Sequence, residues 1–197
     1  MAGYFSTAIY METKMTNETK THKLVLTALM TCLIMIAILF FRIPVPFTQG
    51  IVHLGDGLIF LAVLMLGTKY AIAAASVGSA MANIIVGFAF WAPWTFAIKG
   101  GMALIMGTFI SVMMKNHTAN SILKPSVIRV IGMVLAGIWM TFGYYIAGRF
   151  IYGNWMVALF GIPWDIGQFI VGIFIASALA AALCRTSAKK YFGNYIQ

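Results

Sequence analysis

Beyond the N-terminal tail the chain carries two acidic side chains, Asp56 and Asp165, and each stands where an apolar segment begins. His53 lies three residues before Asp56, a spacing at which the two can share a proton or a ligand hydroxyl. Asp56, preceded by Gly55, also reads as a helix N-cap worth about 1 kcal/mol, and His53 as a structural histidine at a water boundary. Asp165 is followed at helical spacing by Gln168 and Gly172, giving a polar-and-small stripe on a segment otherwise made of Ile, Val, Phe and Ala. Gln168 is too far in to cap a helix, and a polar side chain at that depth needs a partner or a cavity. The stripe therefore points to binding.

Lys99 is the matching cation. It lies about one and a half turns inside an apolar helix, followed by Gly100 and Gly101, which allow close backbone approach. It is read as pairing with Asp165 or with a ligand, the alternative being a stem that snorkels outward. Trp91-Ala92-Pro93-Trp94-Thr95 and Gly161-Ile162-Pro163-Trp164-Asp165 start two helices alike, each with proline in the first turn, so Thr95 and Asp165 occupy equivalent positions. Tyr144 and Tyr145, beside Gly143 and near Thr141, can line the same hollow as Trp94 and Thr95, or can belong to an aromatic belt. Trp91, Trp94, Trp155 and Trp164 are read first as interfacial anchors, with room for one or two to face inward.

The elements that hold these residues follow from composition. At 62% hydrophobic and 9% charged, the chain has too little polar surface to cover a soluble globule. The expected class is an all-α integral membrane protein. A spanning helix needs about 20 apolar residues, and six candidate segments fit, at about 24–41, 55–68, 71–90, 94–114, 127–147 and 164–184. The first run lacks a small-x-small cleavage site, so it reads as the first span and not a cleaved signal. Lys14, Lys20, Lys23, Lys69, Lys115, Lys124, Arg129, Arg185, Lys189 and Lys190 fall on one side of this topology, and Arg42, Lys99 and Arg149 on the other. The richer side is assigned to the cytoplasm, with both termini inside. The net charge of +9 is then a matter of topology and implies no nucleic acid.

Residues 1–22 are expected to form a polar, disordered cytoplasmic tail, 23–185 the six-helix membrane domain and 186–197 a short basic tail. Cys32 and Cys184 fall near the cytoplasmic side, so no disulfide is expected. The first outer loop, 42–54, contains Pro44 and Pro46, which forbid a helix, yet stays apolar. Non-helical chain at membrane depth is tolerated only against protein or a wet cavity, so the loop is read as a lid. Helices two, four and six all descend from the outer face, where three positive dipole ends would suit an anionic or hydroxyl-bearing guest. The stripe Ala75, Ser79, Asn83, Gly87 on helix three is read as helix packing with an interhelical hydrogen bond. The same packing reading is given to Gly172, Ala176 and Ala180 on helix six, and to Ala28 and Cys32 on helix one.

The sequence has no phosphate-binding G-x-x-x-x-G-K-[ST] loop, no metalloprotease or esterase motif and no metal-spaced Cys/His cluster. It also lacks charged residues in mid-membrane that would couple to a proton or sodium gradient. A site open to the outside and without an energy source of its own suggests a capture subunit.

Several features together resemble the S components of energy-coupling factor (ECF) vitamin transporters. They are six helices with both ends inside, the long apolar first outer loop, the segment His53-Leu54-Gly55-Asp56-Gly57-Leu58-Ile59-Phe60-Leu61, and Trp91-Ala92-Pro93 with Ile98-Lys99-Gly100. The resemblance covers about residues 23–185 and is greatest to the hydroxymethylpyrimidine or pyridoxine-type members, with riboflavin and pantothenate types next. It implies capture of a small vitamin or precursor under the first loop. It also implies partnership with a membrane T component and two ABC-type ATPases that use ATP, with no cofactor on this chain. Docking in such proteins uses small residues on helix one, here Ala28 and Cys32. Pantothenate would ask for a cation, which Lys99 could supply. Two rival classes are a membrane-embedded enzyme using His53 and Asp56 as an acid–base pair, and a structural or channel-like oligomer built on the small-residue stripes.

Overall fold

The computed structural model describes residues 2–44, 51–115 and 124–186, with backbone alone over residues 2–19. Helix α1 (Ala2–Phe40) opens the chain. It runs through the polar stretch to residue 22 that the sequence reading left disordered. Between Gly3 and Pro44 there is neither glycine nor proline, and the Ala, Met, Glu and Lys content favours helix, so nothing stops α1 from continuing. The tail beyond Thr186 lies outside the described residues.

The chain then turns into two short strands, β1 (Arg42–Pro44) and β2 (Ile51–His53), paired antiparallel with Arg42 opposite His53 and Pro44 opposite Ile51. The all-α expectation thus gains a small hairpin, because prolines that cannot continue a helix can still sit on an unpaired strand edge. The loop tip, 45–50, which carries much of the expected lid, lies outside the described residues.

Helix α2 (Gly55–Leu66) has 12 residues, about 18 Å at helical rise. It is apolar and buried almost throughout, with Ile59, Phe60, Ala62 and Val63 each at 0% exposure, so it forms the centre of the bundle and not a lipid-facing wall. Its sheath is α1, α3, α4 and α7. A one-residue turn at Gly67, φ 79°, leads directly into α3 (Thr68–Val86); that backbone conformation is open to glycine and strained for other residues. A 3₁₀ turn at Ala89–Trp91 leads to α4 (Ala92–Lys115), which packs antiparallel on α3. Helix α5 (Pro125–Tyr152) runs past the end of the expected segment 127–147, and the short α6 (Trp155–Leu159) occupies most of the stretch before the last expected segment. Asn154 caps α6 by accepting a hydrogen bond from the Met156 N–H at 2.8 Å.

Helix α7 (Ile162–Leu183) buries only a narrow stripe, Gln168, Phe169, Gly172 and Ala176, while Ile166, Ile170, Val171 and Phe174 face outward. Among the described residues five helical stretches are long and apolar enough to cross a membrane, and α2 is a shorter apolar helix. The six expected segments thus all appear as helices. On α1 the buried stripe is Thr27, Met30, Ile34, Ala37 and Ile38, leaving Ala28 and Cys32 on the exposed side.

Candidate binding site in the bundle

Two glycines set the central geometry. A Cβ on Gly57 would lie 2.7 Å from the Ile175 side chain, and one on Gly172 would lie 3.1 Å from Asp56 Cβ. Their absence lets α2 and α7 approach backbone to backbone. That approach sets Asp56 beside Gln168.

Asp56 is the second residue of α2, and its side chain does not cap the helix. Leu54 holds the N-cap position without a side-chain bond, and Asp56 turns inward, 0% exposed. The N-cap reading of Asp56 is therefore corrected. Its Oδ1 accepts a hydrogen bond from Lys99 Nζ at 2.5 Å, and its Oδ2 accepts one from Gln168 Nε2 at 2.7 Å. Lys99 is likewise 0% exposed. Its partner is Asp56 and not Asp165, and its stem does not snorkel, because the carboxylate lies deeper in the bundle than the helix end. The ammonium also donates to Met140 Sδ at 3.0 Å and lies 5.3 Å from the Tyr144 ring, a cation–π contact.

Gln168 spends its other end on the hairpin: its Oε1 accepts the backbone N–H of His53 at 2.9 Å. One side chain thus ties β2, α2 and α7 together. The His53 ring is buried, and its Nδ1 has no hydrogen-bond partner. Burial, then the Lys99 charge, hold its pKa down at about 4 against an ordinary 6.5, with Asp56 opposing in part. His53 is therefore neutral at physiological pH.

A second polar group adjoins the first. Asn83 Nδ2 donates to Thr95 Oγ1 at 2.7 Å, and the Tyr144 hydroxyl stands 3.5 Å from the same oxygen. The interhelical bond expected of Asn83 is this one. The Trp91 ring packs edge-on against Tyr144 and Tyr152, 5.9 Å from each, and is 8% exposed.

The structure brings together His53, Asp56, Lys99, Gln168, Thr95 and Tyr144. It separates others from them. Trp94 stacks on Phe150 at 5.5 Å, and Tyr145 packs on Trp155 at 5.1 Å, with Arg149 over the same indole. Thr141 spends its hydroxyl on the Gly137 carbonyl of its own helix. Asp165 shares the fourth helical position with Thr95 but is half-buried, and no side-chain hydrogen bond reaches it among the described residues. Trp91, Asn83 and Met140 join the cluster without having been singled out as site residues. The polar break in a small-residue stripe was a signal for Asn83, whereas Met140 gave none.

Chemically, the cluster offers a carboxylate, an ammonium, an amide and a phenol held in a dry, internally neutral arrangement. It has hydrogen-bonding capacity in both senses and an aromatic wall, as small-molecule sites do.

Known proteins are similar to this chain in sequence and fold. A family model described as "ECF-type riboflavin transporter, S component" matches residues 18–185. A protein of Pyrococcus woesei, described as uncharacterized, is 35% identical over 159 residues, covering 79% of this chain and 94% of its own. The thiamine precursor transporter HmpT of Lactococcus lactis subsp. cremoris (strain MG1363) is 27% identical over 180 residues, covering 91% of this chain and 98% of its own. The solved S component of a bacterial ECF transporter shares the fold, with a TM-score of 0.67 at 19% identity over 84% of this chain and 97% of that one.

Proposed function

The chain belongs to the family of ECF-type transporter S components, multi-pass membrane proteins of vitamin uptake and not enzymes, and from that membership we propose that it captures a hydroxymethylpyrimidine- or pyridoxine-like compound on the outer side of the membrane. The observation that carries the reading is the buried Asp56–Lys99–Gln168 constellation joined to Thr95 and Tyr144. A small, uncharged heterocycle bearing amino and hydroxyl groups matches such a set, since Asp56 can accept from an amine or hydroxyl and Lys99 can donate to a ring nitrogen. The likeness to HmpT supports the same substrate class. Pantothenate fits less well: its carboxylate needs an unspent cation, and Lys99 is already neutralised by Asp56.

S components act with a T component and ATPase modules. Here the partners are a T component and two ABC-type ATPases, which use the ATP, while this chain binds no cofactor. The docking face is the exposed side of α1 at Ala28 and Cys32, where small side chains permit close helix approach. The excess of Lys and Arg on one side supports cytoplasmic termini, with the hairpin on the outer face as part of a lid.

Riboflavin is the second reading, favoured by the description of the matching family model. The deciding experiment is gentle purification from cells supplied with hydroxymethylpyrimidine, pyridoxine, riboflavin and pantothenate, followed by mass spectrometry of the denatured eluate. Hydroxymethylpyrimidine or pyridoxine is expected, with the T component and two ATPases copurifying. Retained riboflavin would transfer the assignment to the second reading, and an empty eluate would overturn both.

A further inference from the structure

Among the described residues three buried polar side-chain atoms lack a hydrogen-bond partner: His53 Nδ1, Ser79 Oγ and Trp91 Nε1. His53 Nδ1 is folded back over Gly55, 3.1 Å from where a Cβ would stand, next to Ile38 of α1. Of the other two, Trp91 belongs to the aromatic wall and Ser79 to the buried face of α3. Trp91 is fixed by its edge-on contacts with Tyr144 and Tyr152, so its N–H has a set direction and cannot turn toward water. Indole N–H groups in buried or half-buried places normally find an acceptor. Trp139, which is 39% exposed, does so by donating to the Ile98 carbonyl at 3.1 Å. Trp91, at 8% exposure, does not.

Ser79 lies on the buried face of α3 between Ser76 and Asn83. Ser76 abuts Gly100 of α4, and Asn83 bonds Thr95 of α4. The antiparallel packing therefore sets Ser79, 0% exposed, against the turn of α4 that holds Lys99. Tyr144 joins the two sites: its ring is 5.9 Å from Trp91 and 5.3 Å from Lys99 Nζ. An open N–H thus stands against the phenol that borders the ion pair, and an open hydroxyl lies on the α3 face that packs on the same stretch of α4.

We propose that Trp91 and Ser79 are substrate-recognition groups, Trp91 donating a hydrogen bond to a ring nitrogen, and Ser79 to a ring nitrogen or an oxygen, of a flat, uncharged heteroaromatic compound set against Tyr144. The proposal rests on the reading of the chain as a vitamin-capture subunit and extends that site from Asp56 and Lys99 to the α3 face and the 3₁₀ turn. Indole is a donor only, so this edge selects an acceptor on the guest. The mutual neutralisation of Lys99 and Asp56 makes an uncharged guest the fitting one.

The test is calorimetric titration of the full chain, its Trp91→Phe variant and its Ser79→Ala variant. The probes are hydroxymethylpyrimidine, pyridoxine and riboflavin, together with 2-amino-4-methylbenzyl alcohol, the carbocyclic counterpart of hydroxymethylpyrimidine without ring nitrogens. Each substitution is expected to weaken a heteroaromatic probe that the wild type holds by about tenfold, the scale of one hydrogen bond. If hydroxymethylpyrimidine is that probe, its carbocyclic counterpart should bind the wild type more weakly and lose nothing further on Trp91→Phe. Unaltered affinity in both variants would overturn this inference alone, as would an equal loss for the carbocycle. Failure of the wild type to bind any of the three vitamins would overturn the capture reading itself, and this inference with it.

Discussion

Asp56 is the second residue of α2 and Asp165 the fourth of α7, each within reach of a positive helix end. By sequence they are alike, and the stripe below Asp165 made it the stronger candidate for substrate contact. In the structure Asp56 is wholly buried and bonded to Lys99 and Gln168, while Asp165 stays half-buried without a side-chain partner among the described residues. The difference comes from the helices that carry them. Helix α2 is wrapped by four others, whereas α7 shows the bundle one narrow stripe. A helix start defines a local field, and the packing around it decides whether that field acts on a wholly buried, hydrogen-bonded group or on a half-buried one without a side-chain partner.

The largest effect should come from breaking the dry end. Removing either Asp56 or Lys99 leaves an uncompensated buried charge, at a cost of about 3–5 kcal/mol, while removing both together is far milder. Thermal unfolding in detergent should therefore rank Asp56→Ala and Lys99→Met as severely destabilised and the double variant as partly restored. Capture should be lost in all three. Additive losses in the double variant would mean that the pair is not coupled as described.

The next effect is on pH dependence. The His53 pKa of about 4 lies below its ordinary 6.5. Between those values the unfolded chain binds the proton more readily than the folded one, so stability is complete above about pH 6.5 and falls as pH drops toward 4. The full span is worth about 3 kcal/mol. Melting curves at pH 7 and 4.5 should show His53→Gln losing less stability than the wild type by about 2 kcal/mol. Parallel curves would mean that water reaches His53 at the α2 end.

The helices were legible because hydrophobicity sets spans directly, and the polar residues Asp56, Lys99 and Gln168 stood out against it. Their pairing was not legible. Lys99 is read from its depth as pairing with Asp165 or with a ligand, but the Gly57–Gly172 approach that brings Asp56 to Gln168 is a contact between segments more than a hundred residues apart. Periodicity within one helix carries no information about which neighbour it meets. Trp91 was read as an anchor for a related reason: an interfacial tryptophan and an inward one look alike until the partner helices are known. The hairpin was missed because its strands are three residues each and the prolines signalled only the absence of helix.

The smallest effect expected is at Asp165. It occupies the face of α7 that continues through Gln168 and Gly172 toward Asp56, so it stands at the mouth of the constellation and not within it. A half-buried carboxylate to which no side-chain hydrogen bond is directed among the described residues acts on a bound guest through its charge alone, at a distance. Asp165→Asn keeps the shape and removes the charge. It should change the affinity for the captured compound by less than threefold, about 0.6 kcal/mol, whereas Asp56→Asn in the same titration should abolish measurable binding. A loss beyond tenfold at Asp165 would place the substrate at the α7 entrance. The dry pair would then be a scaffold beneath the site, and the ranking of the two aspartates would return to the one suggested by the sequence.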